Sequence, residues 1–161
     1  MNIIEYALKM EKDGEAYYRD LAVNAENKSI EEIFNILADA EAQHYEAFLQ
    51  LRDNLPIPPV EEETLSQVKN IFQQMQLRKE KLEVDESQVE AYKKARNIEK
   101  ESRDFYLQKA GELADPMQKS LCLKMAAEEK QHYIILCNII DFMSKPDTWL
   151  EDAEWHHMDE Y

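Results

Sequence analysis

The chain has 161 residues, of which 33% are charged and 44% hydrophobic, with two glycines and a formal net charge of −15. This length suits one domain with a sizeable core. So acidic a surface repels nucleic acid and anionic lipid, which argues against both as partners. Because no apolar run reaches the length of a membrane span and the amino terminus lacks a secretory pattern, we expect a soluble, cytoplasmic protein.

Apolar periodicity and capping signals predict the helices of the first half. The first helix is expected from about Asn2 to about Asn24. Ser29 and Glu32 fit a capping box at the start of the second helix, which is expected to end near Asn54. The segment LPIPPVEEE follows, and its three prolines end the helical pattern.

Three further helices are predicted after the prolines. A short one fits the spacing of apolar residues from about Glu62 to about Lys81. A long helix, capped by Asp85 or Ser87, is expected to reach about Leu113. The pair Asp115-Pro116 is a strong start signal for the last helix, which is expected to end at about residue 144.

These elements predict an all-α fold with two antiparallel helix pairs joined by a long connection. One long crossover, here about residues 55–85, is the topology of ferritin-like four-helix bundles. We therefore expect such a bundle over residues 1–145. The tail, residues 146–161, is expected to pack on the bundle or on a partner subunit of a homodimer.

The sequence repeats itself at an offset of 88 residues. EAQHY at 41–45 returns as EKQHY at 129–133, and the same shift superposes other ligand-type residues without a gap. The matched pairs are Glu11 with Glu99, Glu41 with Glu129, and His44 with His132. Each half thus contains a Glu followed by a Glu-x-x-His, which predicts two halves related by a pseudo-twofold axis.

The spacing within each half predicts one shared metal centre. Residues three apart, such as Glu41 and His44, lie on one helix face. Glu11 lies roughly 20 Å before the end of its helix and Glu41 roughly 17 Å into the next, at about 1.5 Å per residue, so the two become level. Four converging carboxylates need counter-charge. Two divalent cations supply it, and oxygen and imidazole ligands without thiolate suit iron or manganese.

Several nearby acidic residues compete with this assignment. Glu15 lies one turn after Glu11, but its repeat mate is Arg103, which favours Glu11. Glu154-Trp-His-His157 also fits Glu-x-x-His, but it has no repeat partner and is interpreted as coincidence. Five further carboxylates are expected at the surface: Asp13, Asp39, Glu101, Asp104 and Glu128. Two of these, Asp39 and Asp104, are also candidates to orient a ligand histidine.

Cys122 and Cys137 are predicted on one helix, roughly 22 Å apart at about 1.5 Å per residue, which is too far for a disulfide. The sequence also contains no CxxC pair that would hold a thiolate iron centre. We expect both cysteines to be buried apolar residues.

At the segments ALKMEKDGEAYY with ADAEAQHYEAF, and ARNIEKESRDFY with AAEEKQHYIIL, the chain resembles the rubrerythrin branch of the ferritin-like superfamily. The resemblance implies that Glu41 and Glu129 bridge two irons. It implies one iron site completed by Glu11 and His44 and another completed by Glu99 and His132. It also implies that Tyr18 and Tyr106 surround the ligands.

The chain departs from that family's pattern at two places. It has no rubredoxin domain, and an additional family glutamate is replaced by Ser102, whose repeat mate is Gly14. Two small residues are expected to leave room for water, dioxygen or peroxide.

The resemblance favours a di-iron oxidoreductase that reduces hydrogen peroxide or dioxygen with an unidentified electron donor. Manganese chemistry, iron sequestration without turnover and a helical module with a vestigial site are the alternatives.

Overall fold

The computed structural model describes residues 2–60, 63–82 and 85–144, and these residues form five α-helices without a strand. The helices are α1 (Ile3–Asn24), α2 (Lys28–Arg52), α3 (Thr64–Leu77), α4 (Glu86–Glu112) and α5 (Pro116–Ser144). α1 packs chiefly on α2 and α4 on α5, and α3 packs on α2 and α5. The all-α, ferritin-like fold class predicted from the sequence is therefore confirmed. None of these helices is long and apolar enough to cross a membrane.

The start of α2 differs from the prediction. Asn27 is the N-cap, and its side-chain oxygen accepts a hydrogen bond from the backbone N–H of Ile30 at 3.0 Å. The capping box assigned to Ser29 and Glu32 is wrong. Ser29 is buried and its hydroxyl donates to the carboxylate of Glu80 at 3.2 Å, so its side chain stabilises the crossover instead. Asparagine caps a helix as well as serine does, so the sequence signal was ambiguous.

α3 is shorter than the predicted Glu62–Lys81. It begins at Thr64 and ends at Leu77, and Lys79 beyond it has a positive φ of 52° that turns the chain. Glu80 then accepts hydrogen bonds from Asn27 and Ser29 and pairs with the guanidinium of Arg78. The crossover is thereby tied to the start of α2. Glu62 itself lies outside the described residues.

The second helix pair begins as predicted. Of the two candidate caps for α4, Asp85 is the one used, since its carboxylate accepts the N–H of Ser87 at 2.9 Å. Asp115 caps α5 in the same way, through the N–H of Met117 at 2.8 Å, with Pro116 as the first helical residue.

The core has two apolar parts with a polar layer between them. The part near α3 contains Phe34, Leu37 and Ile135, and the opposite part contains Phe48 and Met125. On each of the four long helices, the charged residues of the repeat stand between residues of the two parts. The bundle therefore encloses its polar residues at mid-height, with hydrophobic packing on both sides.

The structure tests the prediction for the two cysteines but not the prediction for the tail. Cys122 and Cys137 are buried and free on α5, as expected. The tail, with its Trp149 and the Glu154–His157 pattern, lies outside the described residues.

Candidate metal centre

The structure brings the six residues of the repeat together in the middle of the bundle. Each is at most 3% exposed. They are Glu11 on α1, Glu41 and His44 on α2, Glu99 on α4, and Glu129 and His132 on α5. The level alignment expected from the antiparallel pairs is thus present in both halves.

Both histidines point Nδ1 into the cluster. His44 Nδ1 lies 3.3 Å from Glu11 Oε2 and 3.2 Å from Glu129 Oε1. His132 Nδ1 lies 2.9 Å from Glu41 Oε1 and 3.4 Å from Glu99 Oε1. The two imidazole rings are nearly parallel, at 8°, with centroids 5.7 Å apart. The rings therefore occupy equivalent positions on either side of the pseudo-twofold axis.

The two tyrosines connect opposite halves of the repeat. The hydroxyl of Tyr18, on α1, donates to Glu99 Oε1 on α4. The hydroxyl of Tyr106, on α4, donates to Glu11 Oε1 on α1 at 2.5 Å. Each phenol thus binds the glutamate that precedes the Glu-x-x-His of the other half, which is Glu99 for Tyr18 and Glu11 for Tyr106. Helices α1 and α4 therefore position each other's carboxylates. Burial, followed by the charge of the accepting glutamate, raises the pKa of both phenols well above the ordinary value, so both stay neutral donors.

Burial and mutual repulsion favour the protonated form of two of the four carboxyl groups. Burial first, and then the negative charges of the other glutamates, raise the pKa of Glu41 well above its ordinary value. The same causes, in the same order, raise the pKa of Glu129. A site that gathers four carboxylates in a low-dielectric interior cannot ionise all of them without cations.

The other two carboxyl groups are ionised. Burial opposes ionisation of Glu99, but hydrogen bonds from Glu129, His132 and Tyr18 outweigh it and lower its pKa to about 2. Burial likewise opposes ionisation of Glu11, and the interactions with His44 lower its pKa in spite of it. Burial would lower the pKa of His44, but the charge of Glu11 outweighs this and raises it. In this state protons supply the counter-charge that metal ions would otherwise provide.

The donor set fits two metal ions. One group of ligand atoms within 4.8 Å of one another comes from Glu11, Glu41, His44 and Glu129, and a second from Glu41, Glu99, Glu129 and His132. Glu41 and Glu129 belong to both groups. Oxygen and imidazole donors suit iron and manganese. The residues therefore form a buried centre able to bind metal, in which the carboxylates of Glu41 and Glu129 are shared by the two ligand groups.

A cavity of about 310 Å³ opens from this centre between α1 and α4. Gly14 and Ser102 both line it, which agrees with the expectation that these small residues leave room beside the site. A Cβ built on Gly14 would lie 3.2 Å from Glu41 Oε2, closer than ordinary contact. Glycine at this position therefore lets the carboxylate of Glu41 approach the backbone of α1.

The neighbouring acidic residues expected at the surface are exposed, with one exception. Asp39 pairs with Arg19 and Asp104 with Arg103, so neither orients a histidine of the site. The surface prediction for Glu128 is wrong, because its side chain is 1% exposed. Its negative charge contributes to the raised pKa of Glu129 next to it.

The comparison of the two halves gave no sign that Glu128 is buried. Its repeat mate is Ala40, so the comparison of the two halves removed it from consideration. However, the segment from Ile134 to Met143 is apolar on most faces, which indicates a helix surrounded on most sides. Glu128 precedes this segment, so its own burial follows from how α5 packs in the bundle.

Glu15 stays outside the cluster, as the repeat predicted. Its carboxylate lies 3.3 Å from the Lys12 ammonium and 3.8 Å from the Arg19 guanidinium on α1. Of these two glutamates one turn apart, the structure places Glu11 and not Glu15 in the cluster.

The fold is an all-α bundle, and its buried Glu and His residues form two ligand groups that share two glutamates. These features define a ferritin-like protein with a carboxylate centre able to bind metal. The chain belongs to the rubrerythrin family, whose family profile, described as Rubrerythrin, matches residues 2–140. Searches of curated proteins and of solved structures found no match.

Proposed function

We propose that this protein is a di-iron oxidoreductase that reduces hydrogen peroxide or dioxygen. The observation that carries the proposal is the sharing of Glu41 and Glu129 by the two ligand groups, because shared carboxylates place two metals side by side. Membership of the rubrerythrin family, a di-iron family, supports iron as the metal. A two-electron oxidant is matched by a pair of metals that supplies one electron each.

The iron pair would supply the electrons when bound. The six residues of the site would hold it, Glu11 and His44 on one side and Glu99 and His132 on the other. The carboxyl groups of Glu41 and Glu129 give up their protons on metal binding, because the cations replace the protons as counter-charge. Carboxylates with two oxygens each can change their mode of contact as the charge of the centre changes.

The tyrosines fix the geometry of this centre. Tyr18 donates a hydrogen bond to Glu99, and Tyr106 donates one to Glu11. Each hydrogen bond fixes the orientation of the carboxylate and therefore the direction of its other oxygen. Such outer partners orient ligands and tune their basicity. Because both phenols stay protonated, they act as fixed donors at Glu99 Oε1 and Glu11 Oε1.

Iron loading tests the proposal directly. Metal-free protein is loaded with ferrous iron without oxygen, and bound iron is counted by metal analysis. Hydrogen peroxide or dioxygen is then added, and the remaining ferrous iron is measured with a chromogenic chelator. We expect two irons per chain and rapid oxidation of both. Tight binding with slow oxidation would instead indicate a sequestration protein.

A pair of variants makes this test specific. Glu129→Ala removes a shared carboxylate and is expected to abolish binding of two irons per chain. Glu31→Ala, an exposed position on α2, serves as the matched control and should bind like the wild type. A Glu129→Ala protein that binds and oxidises two irons would refute the proposed centre. The separate electron donor and the homodimer stay predictions of the sequence.

A further inference from the structure

The cavity beside the carboxylates is much larger than the oxidants considered above. It measures about 310 Å³. A water molecule occupies roughly 30 Å³ in the liquid, so hydrogen peroxide, with two oxygen atoms, would fill only about a fifth of this space. Pockets for organic ligands begin at roughly 300 Å³. The volume therefore matches a small organic molecule.

The chemistry of the cavity differs from one part of its wall to another. The buried glutamates of the site, Glu11, Glu41, Glu99 and Glu129, line one part of it. Met10, Ile98 and Phe105, which are half-buried, line another part. Tyr6 packs against Phe105 there, with ring centroids 4.7 Å apart and the ring planes tilted by 37°. An occupant therefore needs a polar group directed at the carboxylates and an apolar body against the aromatic wall.

The rim of the cavity restricts the charge of the occupant. Asp13 and Glu101 line the cavity and are exposed. The formal net charge of the chain is −15. An anionic molecule such as a fatty acid or a phosphate ester is repelled by this rim and by the acidic surface around it. A carboxylate or phosphate group on the occupant is therefore disfavoured.

We infer that the cavity binds a neutral organic hydroperoxide with an aromatic or branched alkyl body, and that this is a substrate of the centre. The inference rests on the proposed function, which supplies the two electrons. In the reaction ROOH + 2e⁻ + 2H⁺ → ROH + H₂O, the O–O bond breaks, the terminal oxygen leaves as water and the other remains in the alcohol. The metal pair loses two electrons to the hydroperoxide, and solvent supplies the two protons.

Binding is tested without turnover, on the full chain loaded with zinc, which has no redox chemistry. The probe is 2-phenylpropan-2-ol, the alcohol that cumene hydroperoxide leaves on reduction, titrated by calorimetry. We expect saturable binding of one molecule per chain. Ser102→Phe, which fills the cavity, should weaken it at least tenfold, whereas Ser66→Phe, at an exposed serine on α3, should leave it unchanged.

A second variant covers the case in which Ser102→Phe does not fold. Phe105→Ala removes an aromatic wall residue and should also weaken binding several-fold, with zinc stoichiometry unchanged. When they are loaded with iron, both variants should have a lower kcat/KM for cumene hydroperoxide than the wild type, by about the same factor as their loss of binding. Absence of saturable binding to the wild type, or equal affinity in wild type and both variants, would overturn the inference.

The two proposals fail in different ways. A chain that takes up no iron or zinc refutes the proposed function, and the substrate inference falls with it. A chain that binds two irons and is oxidised by hydrogen peroxide, but binds no alcohol and does not react with cumene hydroperoxide, refutes only the inference about the organic substrate.

Discussion

The metal-free protein should become more stable when the pH falls from 7 to 6, which follows from the neutral carboxyl groups of the site. In the unfolded chain, a glutamate has a pKa of about 4.3 and is ionised throughout this range. In the folded chain, burial and then mutual repulsion raise the pKa of Glu41 and Glu129 well above the ordinary value. The folded state therefore binds more protons, and its free energy of unfolding decreases as the pH rises.

The number of protons sets an upper limit on the magnitude. Each proton bound only in the folded state changes the free energy of unfolding by about 1.4 kcal/mol per pH unit, so two protons give at most about 3 kcal/mol between pH 7 and pH 6. Glu11 and Glu99 add nothing here, because their pKa values are lowered and they are ionised in both states. His44, whose pKa is raised, adds an effect of the same sign above pH 6.5.

Urea unfolding of metal-free protein at both pH values measures this effect. Glu129→Gln, which cannot ionise, should roughly halve the pH dependence. The double variant with Glu41→Gln should retain only the contribution of His44. The exposed change Glu31→Gln is the control and should retain the wild-type dependence. A double variant with the full wild-type dependence would show that these two groups are ionised in the folded chain, contrary to the reasoning.

Four other changes have defined outcomes. Metal binding at pH 7 should release protons, measured by calorimetry in buffers of different ionisation enthalpy; no release would contradict the raised pKa of Glu41. Tyr106→Phe removes a hydrogen bond to a ligand and should weaken metal binding about 10- to 100-fold in a competition assay; unchanged affinity would refute the role of the phenol. Gly14→Ala should displace the Glu41 carboxylate and weaken metal binding. Gly111→Ala is the control: it has open space around it, so it should leave metal binding intact and stabilise its helix by about 0.5–1 kcal/mol. Equal metal affinity in the two variants would contradict the close contact of Gly14 with Glu41. Asn27→Ala should lower the free energy of unfolding by about 1 kcal/mol in urea, and no loss would argue against this cap.

The sequence by itself determined the helices, the topology and the identity of the six residues that meet. Helical periodicity places Glu41 and His44 on one face, and short turns make the pairs antiparallel, so local rules were sufficient to bring Glu11 level with them. The repeat removed the ambiguity with Glu15. No such rule covered the cap of α2, since Asn27 and Ser29 are both good caps and the choice depends on Glu80, which lies far away in the chain.

Only the tertiary structure decided how the two halves act on each other. The hydrogen bonds of Tyr18 to Glu99 and of Tyr106 to Glu11 join residues from different helix pairs, which a comparison of the halves cannot show. The same holds for the protonation of the glutamates, because desolvation and repulsion depend on distances in three dimensions. The burial of Glu128 and the cavity beside Gly14 likewise depend on how the helices pack around them. Sequence spacing specifies which residues share a helix face, whereas the charge and the free space at a site depend on all the helices that surround it.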